Sequence, residues 1–535
     1  MASDEQNDKQ HEPIDYIGLN ARDYPHKEAL VDSSSKVTYL TAKQMSDRLA
    51  LAFMELGLTK GQVVLVQLPN VVQYFIVHSA LQKSGLVGLN LLMNVRSREI
   101  EFAVSQTNSA AMVIVPAYRD FSYFEMVKDV QSRLPCLKHI FAVGPDVPSA
   151  CVSISNLIDG YDQQSYPANC FEQSRIKQGE LKEIRMTSGT TGFPKLVNVH
   201  LRKYHLTRQS DIINRFKVDH SDVFAALAPL SGGGSGPPCK AIAQMCGCKV
   251  AMLEKYDTQK ALKLLESEKV TFATGVPAQM SMMVRHPDLG KYDLSALRAF
   301  YYAGSTIPYA VATEVEQKLN CRIISLYGGL DAGYQFCTSY DDPEDVRRRS
   351  VGKPLGRTVE MRVVDDQLDE VQPGVVGELL VREQKRNTYY SDKKENVNLL
   401  DEQGWRHTGD LGKLDEAGNL YIVGRKKDVI IRGGANIYPA EIENILVKHP
   451  DVQSVAVVAM PDPVMGEKAC ACVIPKPGVS LSLDGILSYL KDFDIAKYKM
   501  PERLELMDSF PMSGDGQKIM KRELAQYIAA ILDAE

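Results

Sequence analysis

Short apolar runs rich in β-branched residues recur along this chain, and segments with helical patterning separate them. The clearest runs are residues 62–68, 110–115, 249–253, 270–273, 298–302 and 322–326. Runs of this length that stay apolar throughout read as strands covered on both faces. Parallel neighbours need a long crossover, usually a helix, so strands alternating with helices predict an α/β protein with largely parallel, stacked sheets. A chain of 535 residues also exceeds what one hydrophobic core normally serves. We expect a large N-terminal domain over residues 1–427 and a small α/β domain over 428–535. Beyond the charged segment Gly424-Arg425-Lys426-Lys427-Asp428 lies a self-sufficient pattern. Pro439 opens a helix with the apolar stripe Ile442, Ile445 and Leu446, Pro450 stops it, and strands are expected at 454–460 and 469–474.

Charge excludes one class of function. The formal net charge is −5, without the basic surplus of a nucleic-acid binder. The run Arg347-Arg348-Arg349 lies beside acidic residues and reads as solvated surface. No apolar stretch approaches the ~20 residues that span a bilayer, and the polar N-terminus lacks the pattern of a secretory signal. About twelve N-terminal residues are expected to be disordered. The ten cysteines are scattered. Two Cys-x-Cys pairs, Cys246/Cys248 and Cys470/Cys472, are each expected on a strand as buried structural thiols. A reducing cytoplasm fits this usage.

The strongest local signal is Met186-Thr187-Ser188-Gly189-Thr190-Thr191-Gly192-Phe193-Pro194-Lys195. Glycines let the backbone turn tightly and aim several N–H groups at an anion. Clustered hydroxyls and Lys195 add donors and positive charge, as a polyphosphate requires. The spacing differs from the common P-loop. Thr187 to Lys195 resembles the T-S-G-T-T-G-x-P-K signature of the adenylate-forming superfamily, which contains acyl-CoA synthetases, luciferases and peptide-synthetase adenylation domains. Further motifs follow in the family's order from about Val37 to Leu524. Runs such as Met465-Gly466-Glu467-Lys468 are closest to the aryl-acid-activating AMP ligases and CoA ligases.

The resemblance carries roles over residue by residue. Thr187, Ser188, Gly189, Thr190, Gly192 and Lys195 would hold the phosphates of ATP. Gly304 and Ser305, in Phe300-Tyr301-Tyr302-Ala303-Gly304-Ser305, would lie beside adenine. Tyr327, in Tyr327-Gly328-Gly329-Leu330-Asp331, would stack on it, and Asp331 would help hold Mg²⁺. Leu330 stands where the family has Thr, and Asp331 where it has Glu. Asp410 and Arg425 would contact the ribose. Lys427 falls at the hinge about which a mobile C-terminal domain turns, and Gly433 and Gly434 would border the thiol channel. Counting back from Leu524 puts Lys518 at the catalytic lysine, with Gln517 where Gly is usual; Thr191 is the other residue given a catalytic role.

Gly232, Gly233 and Gly234, with Tyr302 and Gly328, are assigned to the acid pocket. Glycines stand where the aryl-acid branch has His and Asn, which leaves room and removes the contact that reads an ortho hydroxyl. The expected reaction is activation of a small aromatic or alicyclic acid by ATP, then transfer to CoA. Loading of a carrier-protein phosphopantetheine in trans, an oxidative luciferase-like activity and a catalytically impaired nucleotide sensor remain as alternatives. A homodimer stays open.

Overall fold

The computed structural model describes residues 15–161, 166–167, 169–187, 194–329, 332–356, 358–383, 386, 388–392, 394, 396, 399–493, 495–512 and 519–535. Two large sheets dominate. The first has nine strands in the order Lys353–Pro354, Gly333–Cys337, Arg322–Gly329, Ala299–Ala303, Phe272–Gly275, Val223–Ala226, Lys249–Met252, Glu28–Val31 and Lys36–Thr38. Its six central strands run parallel, and antiparallel strands close both edges. The second has eight strands, in the order Thr388–Tyr390, Leu196–His200, Leu181–Met186, Val87–Asn90, Val63–Gln67, Ala111–Ile114, His139–Ala142 and Val152–Ser153. It too is parallel except at the edge formed by the first three.

The expected buried strands are therefore present, with ends shifted by up to three residues. Alternation explains how one strand serves two cores. In Ala299–Ala303, Ala299, Tyr301 and Ala303 join the core shared by both sheets and the helices Tyr39–Glu55 and Val72–Ser84. Phe300 and Tyr302 join a separate core under the helices Thr258–Ser267, Pro277–Val284 and Tyr309–Lys318. The outer face of the second sheet is covered by Ser97–Thr107 and Tyr123–Arg133. Helix, sheet, helix, sheet and helix thus succeed one another as five layers. Full burial of residues such as Phe224, Phe272 and Ile324 stabilises this stack by about 1.5–3 kcal/mol each.

A four-stranded antiparallel sheet follows: Val359–Val364, Gly377–Glu383, Arg406–Leu414 and Leu420–Arg425. A single turn, Lys426–Asp428, leads into the last sheet, which begins at Ile430–Arg432. That sheet is built on the long hairpin Val452–Asp462 and Gly466–Pro475. It packs against Pro439–Leu446, Leu483–Lys491 and Lys521–Ala534.

Two expectations need correction. Arg347 and Arg348 are buried, because Glu316 on Tyr309–Lys318 accepts from both, at 2.9 and 2.6 Å; only Arg349 is solvated. Cys246 ends the short helix Gln244–Cys246, and Gly247 reverses the chain before Cys248, so this pair does not share a strand. Cys470 and Cys472 do share one, with both thiols buried in a core that includes Phe510, Leu524 and Ile528. Among the described residues, no helix is long and apolar enough to cross a membrane.

Candidate active site

The glycine- and hydroxyl-rich loop joins two antiparallel strands, Leu181–Met186 and Leu196–His200. Its neck is tied by its first and last motif residues. Thr187 N–H donates to the Lys195 carbonyl at 2.9 Å, and Lys195 N–H donates to Thr187 Oγ1 at 3.3 Å. The Lys195 ammonium lies 5.3 Å from the centroid of the Tyr390 ring, where a cation is favoured by the ring's negative face. Ser188, Gly189, Thr190, Thr191 and Gly192 lie outside the described residues.

Tyr327, Asp410 and Arg425 come together from three strands. Asp410 and Arg425 are register partners on adjacent strands, and Tyr327 reaches them from the first large sheet. Arg425 Nε donates to Asp410 Oδ1 at 2.7 Å, and the Tyr327 hydroxyl donates to Asp410 Oδ2. Asp410 is only 6% exposed. Burial, and then the Asp410 charge, raise the Tyr327 hydroxyl well above its ordinary pKa, so it stays a donor. A carboxylate offers about four acceptor sites, two of which are used here. Thr408 Oγ1 accepts from Asp410 N–H at 3.0 Å and donates to the Leu379 carbonyl at 2.8 Å, which pins the stretch of strand that carries the carboxylate.

Gly304 and Ser305 are exposed where Ala299–Ala303 ends, beside Tyr327 on the neighbouring strand. Gly328 must be glycine for steric reasons: a Cβ there would meet the Gly333 carbonyl at 2.1 Å. Leu330 and Asp331 lie outside the described residues. Among those described, no group of three or more His, Cys, Asp or Glu could hold a metal ion.

The expected acid-pocket residues separate into two kinds. Gly234 is buried, and a Cβ would lie 3.1 Å from both Ala228 Cβ and Val276 Cγ1, whereas a Cβ on Gly233 would meet nothing within 4 Å. Gly232, like Gly233, is half-buried. Ser235 anchors the segment, accepting from Ala228 N–H and donating to the Thr274 carbonyl, each at 2.9 Å. Tyr302 is 4% exposed within the core of the outer helices, and burial pushes its hydroxyl up to about 12.

Beyond Arg425, Lys427 is exposed on the linking turn. Gly433 and Gly434, with φ of +55° and +85°, form the two-residue connection between Ile430–Arg432 and Ala435–Ile437. A hairpin turn with two positive φ values calls for such residues. Gly433 N–H donates to the Met465 carbonyl at 2.8 Å. Lys518 and Gln517 lie outside the described residues; the segment that contains them is closed by a bridge between Met512 and Ile519.

Reasoning from sequence missed a polar cluster beside these motifs. Glu183 and Arg185 project from one face of the strand that enters the phosphate loop and pair with each other. Lys240 follows the pocket segment on the helix Pro238–Ala243, and its ammonium donates to the Tyr74 hydroxyl at 3.3 Å. The signal was available: residues 181–187 carry Lys, Glu and Arg where a buried strand is ordinarily apolar.

The arrangement has counterparts among known proteins. The family of AMP-binding enzymes matches residues 19–389, and its C-terminal domain matches residues 441–517. A 2,3-dihydroxybenzoate-AMP ligase of Bacillus subtilis is 30% identical over 96% of this chain and 93% of its own. A medium-chain fatty-acid–CoA ligase of Escherichia coli is 30% identical over 95% and 89%. An anthranilate CoA ligase in complex with anthranoyl-AMP superposes with a TM-score of 0.86 at 22% identity, covering 98% of each chain. ATP-bound MatB from Rhodopseudomonas palustris gives 0.83 at 23% identity, covering 96% of this chain and 99% of its own. The chain belongs to the AMP-binding enzymes, the adenylate-forming family, and is an AMP-forming acid ligase.

Proposed function

We propose that the chain joins a compact aromatic or alicyclic carboxylic acid to AMP at the expense of ATP, and then passes the acyl group to the thiol of CoA. The observation that carries the nucleotide half is the meeting of Tyr327, Asp410 and Arg425. A buried carboxylate with unused acceptor sites suits the two donor hydroxyls of a ribose, and Tyr327 offers a ring for adenine. Gly304 and Ser305 border that site, and Lys195 at the neck of the Thr187 loop serves the phosphates. The first step forms a bond from the acid's carboxylate oxygen to the α-phosphorus and breaks the bond to pyrophosphate. The carboxylate and triphosphate repel each other, so fixed cations that meet the developing charge are the main aid to reaction. Lys518 is assigned to that charge, together with Thr191 on the loop.

Phosphates supply much of the coordination of Mg²⁺, which then needs only one or two protein carboxylates; Asp331 is the residue assigned to it. In the second step the thiol attacks the acyl carbon and AMP leaves. We place the domain boundary at Lys427, in the turn between two separate sheets, so that rotation there exchanges Lys518 for Gly433 and Gly434. All ten cysteines are free thiols, in keeping with a cytoplasmic enzyme.

Product analysis by mass spectrometry tests this. With ATP, an aryl or alicyclic acid and CoA, the expected product is the acyl-CoA. Thioester formed only on a pantetheinylated carrier protein would overturn CoA as acceptor. It would favour the second reading, which the 30% identity to an AMP ligase supports. No acyl adenylate from any acid would favour a nucleotide sensor, a reading motivated by Leu330, Asp331 and Gln517.

A further inference from the structure

The polar cluster that the nucleotide chemistry leaves unused lies among three motifs. Arg185 is two residues before Thr187, about 7 Å along an extended strand. Lys240 is four residues beyond Gly236. Tyr334 is the register partner of Gly328, next to Tyr327. Tyr74 and His78 on Val72–Ser84 complete the wall. The Tyr74 hydroxyl that accepts from Lys240 donates to Asn90 Oδ1 at 3.1 Å, and Asn90 is the register partner of Arg185 on the neighbouring strand. Lys240 senses the charges of Glu183, Arg185 and Lys182; Tyr334 senses Arg185 and Glu183; His78 senses Lys240.

The cluster is unbalanced. It holds three cations, Lys182, Arg185 and Lys240, against one carboxylate. Glu183 is committed to Arg185, and the surrounding cations hold it ionised against burial, well below its ordinary pKa. Among the described residues no carboxylate lies within ion-pair distance of Lys240, whose partner is a neutral phenol. Lys240 is half-buried, and desolvation lowers its pKa to about 8, a shift that the Glu183 charge offsets only in part. His78 adds no further charge: burial and Lys240 depress it to about 3, so it is neutral, and its Nε2 is a buried atom without a hydrogen-bond partner. The Tyr301 hydroxyl, close to Tyr334, is likewise buried and unpartnered. Unsatisfied groups of this kind in a native protein call for an absent partner.

We infer that the acid this enzyme activates carries a second anionic group, a carboxylate in the simplest case, which binds between Arg185, Lys240 and Tyr334. The inference rests on the proposed acid-activating role of the site and names its substrate class. The reacting carboxylate would lie at the phosphate loop. The second would sit a short molecule's length away, accepting from Lys240, with the His78 and Tyr301 polar atoms near by. A monocarboxylic acid of the same skeleton would leave Lys240 half-buried with no carboxylate in ion-pair contact.

The test is acid-dependent ATP–pyrophosphate exchange with matched pairs: benzoate against benzene-1,3-dicarboxylate, cyclohexanecarboxylate against its 1,3-dicarboxylate, and butanoate against pentanedioate. In the native chain kcat/KM should favour at least one dicarboxylate over its twin by roughly tenfold or more, the scale of one charge-assisted hydrogen bond. Lys240→Met should bring that ratio to one or below, and Lys240→Arg should preserve it, with the KM for ATP unchanged in both. Thermal melting shows whether each variant is folded. Exchange that favours the monocarboxylate in every pair overturns the inference alone, as does a Lys240→Met enzyme that keeps the dicarboxylate preference. A chain silent with every acid removes the acid-activating role on which the inference rests.

Discussion

Asp410 is the residue on which nucleotide binding turns. Its two oxygens hold Tyr327 and Arg425 in place, and removing it strands a buried hydroxyl and a guanidinium together. Charge-assisted hydrogen bonds are worth about 1.5–3 kcal/mol each, so Asp410→Ala should lower kcat/KM for ATP roughly 10–100-fold. Exchange kinetics with ATP varied would measure this, and an unchanged value would remove Asp410 from the site. His78 gives a stability test. Its folded pKa, about 3, lies below the unfolded value near 6.5. The unfolded chain therefore binds a proton that the native chain refuses. Stability from this group is complete above pH 6.5 and is lost as pH falls toward 3, by up to about 1.4 kcal/mol per pH unit. Denaturant titrations between pH 7 and 4 should show a shallower decline for His78→Gln than for the native chain. Parallel declines would contradict a neutral, buried imidazole. At this scale the sequence was most legible where a motif fixes the spacing. Arg425 lies fifteen residues beyond Asp410 in the chain, and the register of two antiparallel strands turns that spacing into contact. Spacing could not reveal that Glu316 would bury Arg347 and Arg348, because that contact depends on how two helices pack.

Among the elements, the hairpin of Arg322–Gly329 and Gly333–Cys337 carries Tyr327 to its partners. Gly328→Ala would force a methyl into the Gly333 carbonyl, a backbone atom that has no rotamer to yield. Overpacking of this kind costs about 1–3 kcal/mol. Thermal denaturation should register a lower melting temperature, together with a raised KM for ATP; a variant as stable as the native chain would mean that the hairpin is looser than described. Most of the parallel strands were readable because they are apolar along their length; Leu181–Met186, with its Lys, Glu and Arg, is an exception. The antiparallel edges Lys353–Pro354 and Thr388–Tyr390 were not, since strands of two or three residues have too little pattern and are defined by remote partners. Cys246 was misplaced for a related reason: Gly247 ends a helix there, and an apolar stretch before a glycine reads equally as strand or helix.

For the whole molecule, the turn Lys426–Asp428 is the covalent link between the sheet that ends at Arg425 and the one that begins at Ile430. If rotation about Lys427 exchanges the two half-reactions, Lys427→Pro should leave pyrophosphate exchange within about threefold of native while thioester formation falls at least tenfold, since proline fixes φ. Equal losses in both would argue against a hinge. In the sequence, charge and glycine punctuate this segment. The polar cluster around Lys240 went unread because its members come from four separated segments, and folding alone brings them together. The most direct test of the central claim is acid-dependent exchange of labelled pyrophosphate into ATP by the native chain and by Lys518→Ala, with thioester formation from preformed acyl adenylate measured beside it. The account requires exchange that depends on added acid, that falls at least a hundredfold in the variant, and thioester formation that persists there. Exchange independent of acid, or both activities lost alike, would contradict it.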